Sequence, residues 1–456
     1  MTKAEGTMNL IAPVDAFCLL AESREHPMHV AGLQLFTPPP GAGPEFARDI
    51  YDALVAGGHV APAFRKRPAK TLGAFSNALW KFDEEIDLGY HVRRSALPAP
   101  GRVRELLELT SRLHGTLLDR HRPLWETHLI EGLADGRFAV YTKMHHAVVD
   151  GVSALRMLQG ALSADPHDTV IRAPWAPPPR QKRPARGRRA MLADAIATAA
   201  GFAPATLKLT RAALLEQQLT LPFRAPRTML NVPIGGARRC AAQSWPLDRI
   251  KDVKNVAGMT VNDVVLAMCA GALRSYLTDH EALPDKPLTA MVPVNLRTER
   301  DADGGNVVSA VLCNLATDRD DPADRLRTIH ESMRDNKLVL SELPRAQAMA
   351  LGMGLLAPAA FGGIPGLGAA TPPPFNIVVS NVPGVQKPLY CNGARLDGNY
   401  PLSIAVDGQA LNVTVATSAD SLDFGLVGCR RAVPHLQRLL GHLETSLKDL
   451  ERAVGL

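Results

Sequence analysis

The sequence predicts a mixed α/β fold in which strands and helices build two units. Two strand-like segments, residues 125–133 and 137–144, flank the turn sequence Ala134-Asp135-Gly136, which is typical of a β-hairpin. Residues 260–276 are apolar almost all round, which is typical of a buried helix. After Gly151, apolar residues recur at helical spacing and predict a helix that follows the second strand. These residues are Val152, Leu155, Leu158 and Leu162.

The 456 residues divide into three predicted regions. Residues 1–166 form the first mixed unit, residues 167–240 a basic, proline-rich linker with helices, and residues 241–456 the second mixed unit. The formal net charge is +6, and removing the seven basic residues between Arg172 and Arg189, a stretch without an acid, leaves −1, so the rest of the chain is nearly neutral. Because prolines interrupt the same stretch, we expect an extended tether. The seven residues are Arg172, Arg180, Lys182, Arg183, Arg186, Arg188 and Arg189.

The first strong helix of the second unit is predicted to begin at Thr260. The Thr260 hydroxyl can cap the backbone amide of Asp263, because the spacing Thr-x-x-Asp places these groups one turn apart. Asn262 and Asp263 then start a buried helix, where polar groups must be hydrogen-bonded. Simple capping and a functional role both remain open for Asn262.

Two adjacent histidines, His145 and His146, end the second predicted strand, and Asp150 and Gly151 follow at the corner into the helix. Such a corner suits proton transfer, because an unperturbed imidazole has a pKa of about 6.5 and can be held facing a cleft. Neighbouring side chains on a strand point to opposite faces, so at most one of the histidines points into the cleft. A structural pair is the alternative. A metal is not expected, because the sequence has neither HExxH nor a paired CxxC.

The spacing His-His-x-x-x-Asp-Gly resembles the HHxxxDG motif of the CoA-dependent acyltransferase superfamily. Further segments are similar, in order, to motifs of one branch, the bacterial wax ester synthase/diacylglycerol acyltransferase family. The resemblance covers nearly the whole chain, beginning at Pro13-Val14-Asp15. The matching segments are residues 122–126, 230–239, 260–267, 291–297 and 376–384.

The resemblance implies two chloramphenicol-acetyltransferase-like α/β halves joined by a linker, with the active-site channel between them. It implies an O-acyltransferase that transfers a long-chain acyl group from acyl-CoA to a fatty alcohol or diacylglycerol, which yields wax ester or triacylglycerol. Acyl-CoA is then a substrate, and no bound cofactor is expected. The alternatives are a condensation-type acyltransferase with a carrier-bound or polyketide acceptor, and a catalytically silent lipid-surface binding protein.

The same resemblance implies roles for individual residues. His146 is expected to be the general base, and Asp150 to pair structurally with Arg297. Asn262 or Asn381 is expected to donate a hydrogen bond to the oxyanion. The remaining candidates are His145, Gly151 and Asp263 beside these groups, and Pro123, Leu124, Trp125 and Ser380 along the substrate channel.

A second parsing of the histidine motif starts at His145. Counted from there, the string has the His-x-x-x-x-Asp spacing of membrane glycerolipid acyltransferases. Those proteins normally carry membrane-spanning segments, whereas this sequence has no uninterrupted apolar run of about eighteen residues. We therefore prefer His146 with Asp150.

We expect a cytoplasmic protein that attaches peripherally to the inner membrane or to lipid droplets. The N-terminus lacks the apolar stretch of a secretory signal, and the six cysteines have no paired spacing, which indicates reduced, mostly buried thiols. The basic tether suits an anionic lipid surface, and a solvated linker is the alternative. No nucleic-acid partner is expected, because no aromatic residues alternate with the basic ones.

Residues 337–374 are rich in Leu, Met, Ala, Gly and Pro and almost free of charge after Arg345. Three interpretations remain open for this segment: protein core, the wall of an acyl tunnel, or an apolar lip that meets a lipid surface. Its large apolar residues are Leu351, Met353, Leu355, Leu356, Phe361, Ile364 and Leu367.

Overall fold

A computed structural model describes residues 9–69, 79–176, 220–295, 308–344 and 372–456, with short pieces at 347–348, 351–352 and 354–355. These residues build two six-stranded sheets, one three-stranded sheet and the helices that cover them. The predicted mixed α/β fold is confirmed. Most of the predicted tether, Met353, Arg297 and residues 356–371 lie outside the described residues.

The first large sheet contains the strand that ends at the histidines. Its strands are β2 His29–Thr37, β5 Val92–Ala96, β6 Trp125–Glu131, β7 Phe138–His145, β12 Tyr390–Cys391 and β13 Ala394–Leu402. Their order in the sheet is β12-β13-β2-β7-β6-β5. β6 and β7 pair antiparallel across the predicted turn, with His128 opposite Tyr141, so the hairpin prediction is confirmed.

The second large sheet lies in the C-terminal half. Its strands are β8 Arg238–Pro246, β9 Thr289–Asn295, β10 Val308–Asn314, β11 Ile377–Val382, β14 Leu411–Ser418 and β15 Ser421–Cys429. The order is β10-β9-β11-β14-β15-β8, and β11 runs parallel to both of its neighbours. A small antiparallel sheet joins β1 Asn9–Leu10, β4 Leu79–Phe82 and β3 Lys66–Pro68.

The α-helices pack on these sheets by their apolar faces. Their bounds are α1 Pro13–Ala21, α2 Phe46–Ala56, α3 Leu88–His91, α4 Val103–His114, α5 Gly151–Gly160, α6 Leu247–Ala257, α7 Val261–Asp279, α8 Pro322–Ser341 and α9 Arg438–Val454.

Two helix predictions are confirmed. α5 begins at Gly151, and α7 begins directly after Thr260 and is buried over most of its length. The Thr260 hydroxyl accepts from the Asp263 N–H at 3.2 Å, and the Asp263 carboxylate accepts from the Thr260 N–H at 3.0 Å. The backbone N–H groups of Thr260 and Asp263 are thus both hydrogen-bonded. The apolar remainder of α7 fills the core of the second half.

Strands β12 and β13 belong to the C-terminal half of the sequence, yet they complete the first sheet. β13 pairs antiparallel with β2, with Tyr400 opposite Leu33. The Asn399 N–H of β13 also donates to the buried Asp423 carboxylate of β15 at 2.7 Å. This hydrogen bond links β13 of the first sheet to the second sheet. The predicted division at residues 240 and 241 does not follow the sheets, because β8 starts at Arg238 and residues 390–402 lie in the first sheet.

Among the described residues, no single helix has the length and apolar composition to cross a membrane, and one bent pair, Leu247–Ala257 with Val261–Asp279, meets the criterion by length and composition only.

The six cysteines are free thiols, as predicted from their spacing. Five of them are buried, and Cys391 is half-buried. Burial raises the pKa of the Cys240 and Cys269 thiols to about 12. These thiols are therefore core residues rather than nucleophiles.

Candidate active site

The two histidines stand at the corner between β7 and α5, and backbone hydrogen bonds fix the chain there. The His145 N–H donates to the Leu124 carbonyl at 2.9 Å, and the His146 N–H donates to the Met28 carbonyl at 2.8 Å. Leu124 also packs with Ala147 in one buried cluster. Two segments thus hold the corner in place. One contains Met28, just before β2, and the other contains Leu124, just before β6.

The His145 ring is buried, with one nitrogen hydrogen-bonded to the backbone and the other close to a carboxylate. Nδ1 accepts from the Ala147 N–H at 3.0 Å, so the ring proton resides on Nε2. Nε2 lies 3.3 Å from Oε1 of Glu22, whose side chain is 2% exposed. The other carboxylate oxygen accepts from Arg120 at 2.9 Å. Burial raises the pKa of Glu22, but His145 and Arg120 outweigh it and hold the pKa below its usual value.

His146 differs from its neighbour because its ring has no such partner. It is partly exposed, and its Nδ1 atom is buried without a hydrogen-bond partner in the described part of the chain. Burial lowers the pKa of His146, while nearby Asp150 raises it and His145 lowers it further. A neutral imidazole is therefore favoured at neutral pH, which is the state that a general base requires.

Asp150 caps the N-terminus of α5. One carboxylate oxygen accepts from the Ser153 N–H at 2.8 Å, and the other accepts from the Ser153 hydroxyl at 3.0 Å. The carboxylate therefore turns along the helix end, which fits an architectural role. Gly151 is the first residue of α5. The predicted pairing of Asp150 with Arg297 stays a prediction, because Arg297 lies outside the described residues.

Asp15 of α1 adds a carboxyl group beside this corner. Burial raises the pKa of Asp15 to about 7, with Lys66 acting against the shift and Asp150 adding to it. The electrostatic influence of Asp150 indicates that the two carboxyl groups are near neighbours. Asp15 lies in the first turn of α1, and Glu22 is the residue that directly follows the helix.

The second half contributes residues from β11 and α7. Val382 of β11 packs with Leu155 of α5, and strand alternation places Ser380 on the same face of the sheet. Asn381 lies on the opposite face, the one that packs against α7. Asn262 stands in the first turn of α7, and neither asparagine side chain is hydrogen-bonded within the described residues. Both amides are therefore free to donate to a ligand.

Asp263, predicted as a structural residue, caps α7 as described above. Its carboxylate also lies 2.9 Å from Nδ1 of His330 on α8, so it joins two helices of the second half. The Asp263 side chain is buried.

Pro123, Leu124 and Trp125 are buried, and their place beside a substrate channel stays a prediction. The Trp125 indole donates to the Phe64 carbonyl at 2.9 Å, and its ring stacks between His91 and Trp175 with centroid distances of 4.5 and 4.8 Å. A large aromatic ring at a strand start is stabilised by such packing. These residues therefore support the corner from behind, as packing residues.

The comparisons with known proteins agree with this geometry. Residues 11–265 match the family model for the wax ester synthase/diacylglycerol acyltransferase catalytic domain, and residues 304–451 match the model for its C-terminal domain. The chain belongs to this family.

Two curated relatives match nearly the whole chain. A Mycobacterium tuberculosis protein, named provisionally as a diacyglycerol O-acyltransferase, is 65% identical over 448 residues, which are 98% of this chain and 100% of the relative. The O-acyltransferase WSD of Acinetobacter baylyi is 39% identical over 458 residues, which are 98% of each chain. The protein is therefore an acyltransferase of this family.

The solved structures support the fold. The wax ester synthase/diacylglycerol acyltransferase from Marinobacter aquaeolei VT8 is 42% identical and superposes with a TM-score of 0.78, over 98% of this chain and 100% of that chain. A starter condensation domain of rhizomide synthetase shares the fold at 13% identity, with a TM-score of 0.58 over 99% of this chain and 95% of that chain. The two-unit arrangement predicted from the sequence is thus confirmed.

Sequence reasoning missed Glu22, Arg120 and Asp15 as members of the site. Glu22 and Arg120 are 98 residues apart, so no local pattern connects them. The available signal was two acids, one within an apolar helix and one directly after it, since buried carboxylates need a partner. Among the residues that the structure describes, no group of three or more His, Cys, Asp or Glu side chains is arranged to hold a metal ion.

Proposed function

We propose that this acyltransferase moves a long-chain acyl group from acyl-CoA to the hydroxyl of a fatty alcohol or diacylglycerol, with His146 as the general base. The observation that carries the proposal is the contrast between the two histidines. His145 is locked by Ala147 and Glu22, whereas His146 is partly exposed and favoured as a neutral imidazole. The names of the family and of its solved Marinobacter member support the two acceptor classes.

In the proposed step, His146 takes the proton of the acceptor hydroxyl while that oxygen attacks the thioester carbonyl carbon. The carbonyl π bond breaks and its electron pair goes to the oxygen, which gives a tetrahedral oxyanion. The oxyanion then collapses, the carbon–sulfur bond breaks, and the protonated His146 returns its proton to the leaving CoA thiolate. The products are an ester and CoA, and no covalent acyl-enzyme is needed.

The oxyanion needs a hydrogen-bond donor, and the candidates are Asn262 and Asn381. Both lie in the half opposite the histidines, and both amides lack a competing hydrogen bond within the described residues. Removing a donor of this kind typically raises the barrier by about 2.7–4 kcal/mol. Single Asn262→Ala and Asn381→Ala variants, compared for kcat, distinguish the two candidates.

An acceptor screen tests the proposed function. Purified protein is incubated with palmitoyl-CoA and either hexadecanol or dipalmitoylglycerol, and CoA release and lipid products are followed by a thiol assay and thin-layer chromatography. We expect wax ester, triacylglycerol or both, and no product with His146→Ala. CoA release that requires a phosphopantetheine-bound acceptor would favour a condensation-type enzyme, and no CoA release with any acceptor would favour a silent lipid-binding protein.

Peripheral attachment to an anionic membrane or lipid droplet is part of the proposal. The substrates are nearly insoluble in water, and the linker carries the excess positive charge of the chain. Basic residues near an anionic surface contribute about 1 kcal/mol each, and salt screens them over about 8 Å at physiological ionic strength. Arg180, Lys182, Arg183, Arg186, Arg188 and Arg189 are the residues concerned.

Liposome flotation tests the attachment. The parent and a variant with these six residues changed to Gln are floated with neutral or phosphatidylglycerol-containing vesicles at low and high salt. We expect parent binding to require the anionic lipid and to weaken with salt, and the variant to bind less. Equal flotation of both proteins at both salt levels would show that the linker is a tether only.

A further inference from the structure

His330 is a titratable residue of the second half to which the proposed mechanism gives no role. It stands in the middle of α8, and its Nδ1 atom lies 2.9 Å from Oδ2 of Asp263 on α7. A carboxylate oxygen only accepts hydrogen bonds, so the imidazole is the donor. The Asp263 side chain is 3% exposed and that of His330 is 32% exposed. The contact therefore joins a buried carboxylate to a ring that reaches the surface.

The same carboxylate oxygen also caps the beginning of α7. Oδ2 of Asp263 accepts from the Thr260 N–H at 3.0 Å, and the Thr260 hydroxyl accepts from the Asp263 N–H at 3.2 Å. The oxygen that binds His330 is thus part of the capping box. Because two donors on one oxygen restrict the orientation of the side chain, His330 holds the Asp263 carboxylate in place and with it the first turn of α7.

His330 is a firm support because α8 is itself anchored on two sides. Its neighbour Ile329 is buried in the same core cluster as Val264 of α7. Two residues beyond His330, the Ser332 hydroxyl accepts from the Asn314 N–H at the end of β10 at 3.0 Å. The position of His330 is therefore fixed to the second sheet as well as to α7.

Asn262, the residue before Asp263, lies in the turn that this contact holds. Its side chain is half-buried and has no hydrogen bond within the described residues. Since no such bond of its own orients the amide, its direction follows the backbone of the first turn of α7. A misplacement of about 1 Å in a group that acts on the reacting atoms can cost on the order of 10²-fold in rate. A small movement of this turn therefore affects the rate more than the fold.

We propose that His330 is a positioning residue for acyl transfer: its hydrogen bond to Asp263 fixes the first turn of α7 and thereby the direction in which Asn262 donates to the oxyanion. The inference rests on the proposed function, because it takes Asn262, rather than Asn381, as the donor. His330 itself touches neither the substrates nor the reacting atoms. Loss of its hydrogen bond should therefore slow the chemical step and leave substrate binding nearly unchanged.

Two variants of His330 separate the hydrogen bond from the volume of the ring. His330→Phe keeps a ring and removes the donor, whereas His330→Asn keeps an N–H donor near the position of Nδ1. With palmitoyl-CoA and hexadecanol, we expect His330→Phe to lower kcat about tenfold with little change in KM, and His330→Asn to retain most of the parent kcat. Asn262→Ala should lose more, roughly 10²–10³-fold, because the amide is then removed rather than displaced. His330→Ala replaces His330→Phe if the larger ring impairs folding.

His442 of α9 provides the matched control at the other end of the same helix. Its Nε2 atom lies 3.2 Å from Oδ2 of Asp279, the last residue of α7, and its side chain is 20% exposed. His442→Phe should lower the melting temperature about as much as His330→Phe and should leave kcat unchanged. A loss of kcat of the same size in both variants would show that His330 only stabilises the fold, and would overturn the proposal.

Double variants identify the residue through which His330 acts. In an Asn262→Ala background, His330→Phe should cause no further loss of kcat, because the group that it positions is gone. In an Asn381→Ala background, the loss caused by His330→Phe should persist. The opposite pattern, or equal further losses in both backgrounds, would contradict the role of His330.

Failure of the proposed function gives a different result. If the parent releases no CoA with hexadecanol or dipalmitoylglycerol, the proposed function itself fails. If the parent is active and Asn262→Ala keeps the full kcat, only the roles of His330 and Asn262 are wrong.

Discussion

The Glu22 carboxylate faces the His145 imidazole in the protein interior, with Oε1 and Nε2 3.3 Å apart. Arg120 and the Met28 N–H hold the same carboxylate, and the Met28 carbonyl accepts from the His146 N–H. The residue before the base is thus the anchor of the corner. The two histidines of the motif therefore have different roles: His145 is fixed by its contacts, and this fixes the position of His146.

Glu22→Gln should lower kcat more than it changes KM and should reduce stability. Breaking a buried charge pair typically costs about 3–5 kcal/mol, which sets the upper end of the stability loss. Without the carboxylate, Arg120 and the Met28 N–H lose their charged acceptor, so the corner that positions His146 is held less firmly. The measurements are kcat, KM and the melting temperature, with Glu25→Gln as the exposed control. A kcat equal to that of the parent would reduce Glu22 to a packing role.

His146→Ala should lose roughly 10²–10⁴-fold in kcat, the range usual for acid–base catalysis, with an unchanged melting temperature. His145→Ala should unfold at a lower temperature, because it removes one of the partners of the buried Glu22 carboxylate. Steady-state kinetics and thermal unfolding separate the two effects. Full activity of the first variant would rule out His146 as the base.

Asp150→Ala should destabilise the protein by about 0.5–2 kcal/mol, because α5 loses its N-cap. Asp150→Asn should retain most of this stability, since an amide oxygen also caps a helix. Thr260→Ala, which removes the cap of α7, is the matched control at a distant helix end. If Asp150→Ala and Asp150→Asn lost activity equally and kept the melting temperature of the parent, the carboxylate would act in the chemistry rather than in the fold.

Asp15 should make stability fall as pH rises from about 4 to about 7. Its pKa is raised from 3.8 to about 7 by burial and by Asp150 against the effect of Lys66, so the folded state binds a proton that the unfolded state has released. Each unit is worth 1.36 kcal/mol, which gives an upper limit of about 4 kcal/mol above pH 7. Asp15→Asn should flatten this part of the melting-temperature profile. A parallel profile would show that Asp15 ionises normally.

Gly384→Ala should destabilise the protein strongly and lower activity. A Cβ atom at this position would overlap the Thr417 carbonyl oxygen and press on the Gln159 side chain of α5. The loop after β11 can approach α5 closely because Gly384 has no side chain. Gly441→Ala, in α9 with open space around it, is the control and should stabilise by up to about 1 kcal/mol. Equal melting temperatures of the two variants would contradict this account.

Local patterns were enough to predict the elements that carry the motif. The hairpin of β6 and β7, the start of α5 at Gly151 and the cap of α7 at Thr260 all follow from turn residues, periodicity and capping within a few positions. The different environments of the two histidines were predicted in part, because strand alternation allows one of them into a cleft.

Contacts between distant segments had no such signal. The contacts of Glu22 with Arg120 and His145 connect three separate segments of the chain, and the pairing of β13 with β2 joins residues more than 350 positions apart. The family resemblance suggested that Trp125 packs beside the channel, and its ring stacks with His91 and Trp175 in the core. A sequence motif identifies residues that are important for the site. It does not say whether a residue contacts the substrate or supports a neighbouring residue that contacts it.

The placement of β12 and β13 limits how this chain can be divided. A fragment that ends in the linker keeps β2, β7, β6 and β5 but leaves the nine-residue, mostly apolar β2 as an open edge. Such an edge invites pairing with another chain, so the isolated N-terminal fragment should aggregate. The C-terminal fragment carries the donor strand that fills this edge. Two co-expressed fragments, divided within the linker, should therefore assemble into one non-covalent complex. The pairing of β13 with β2 would hold the two polypeptides together.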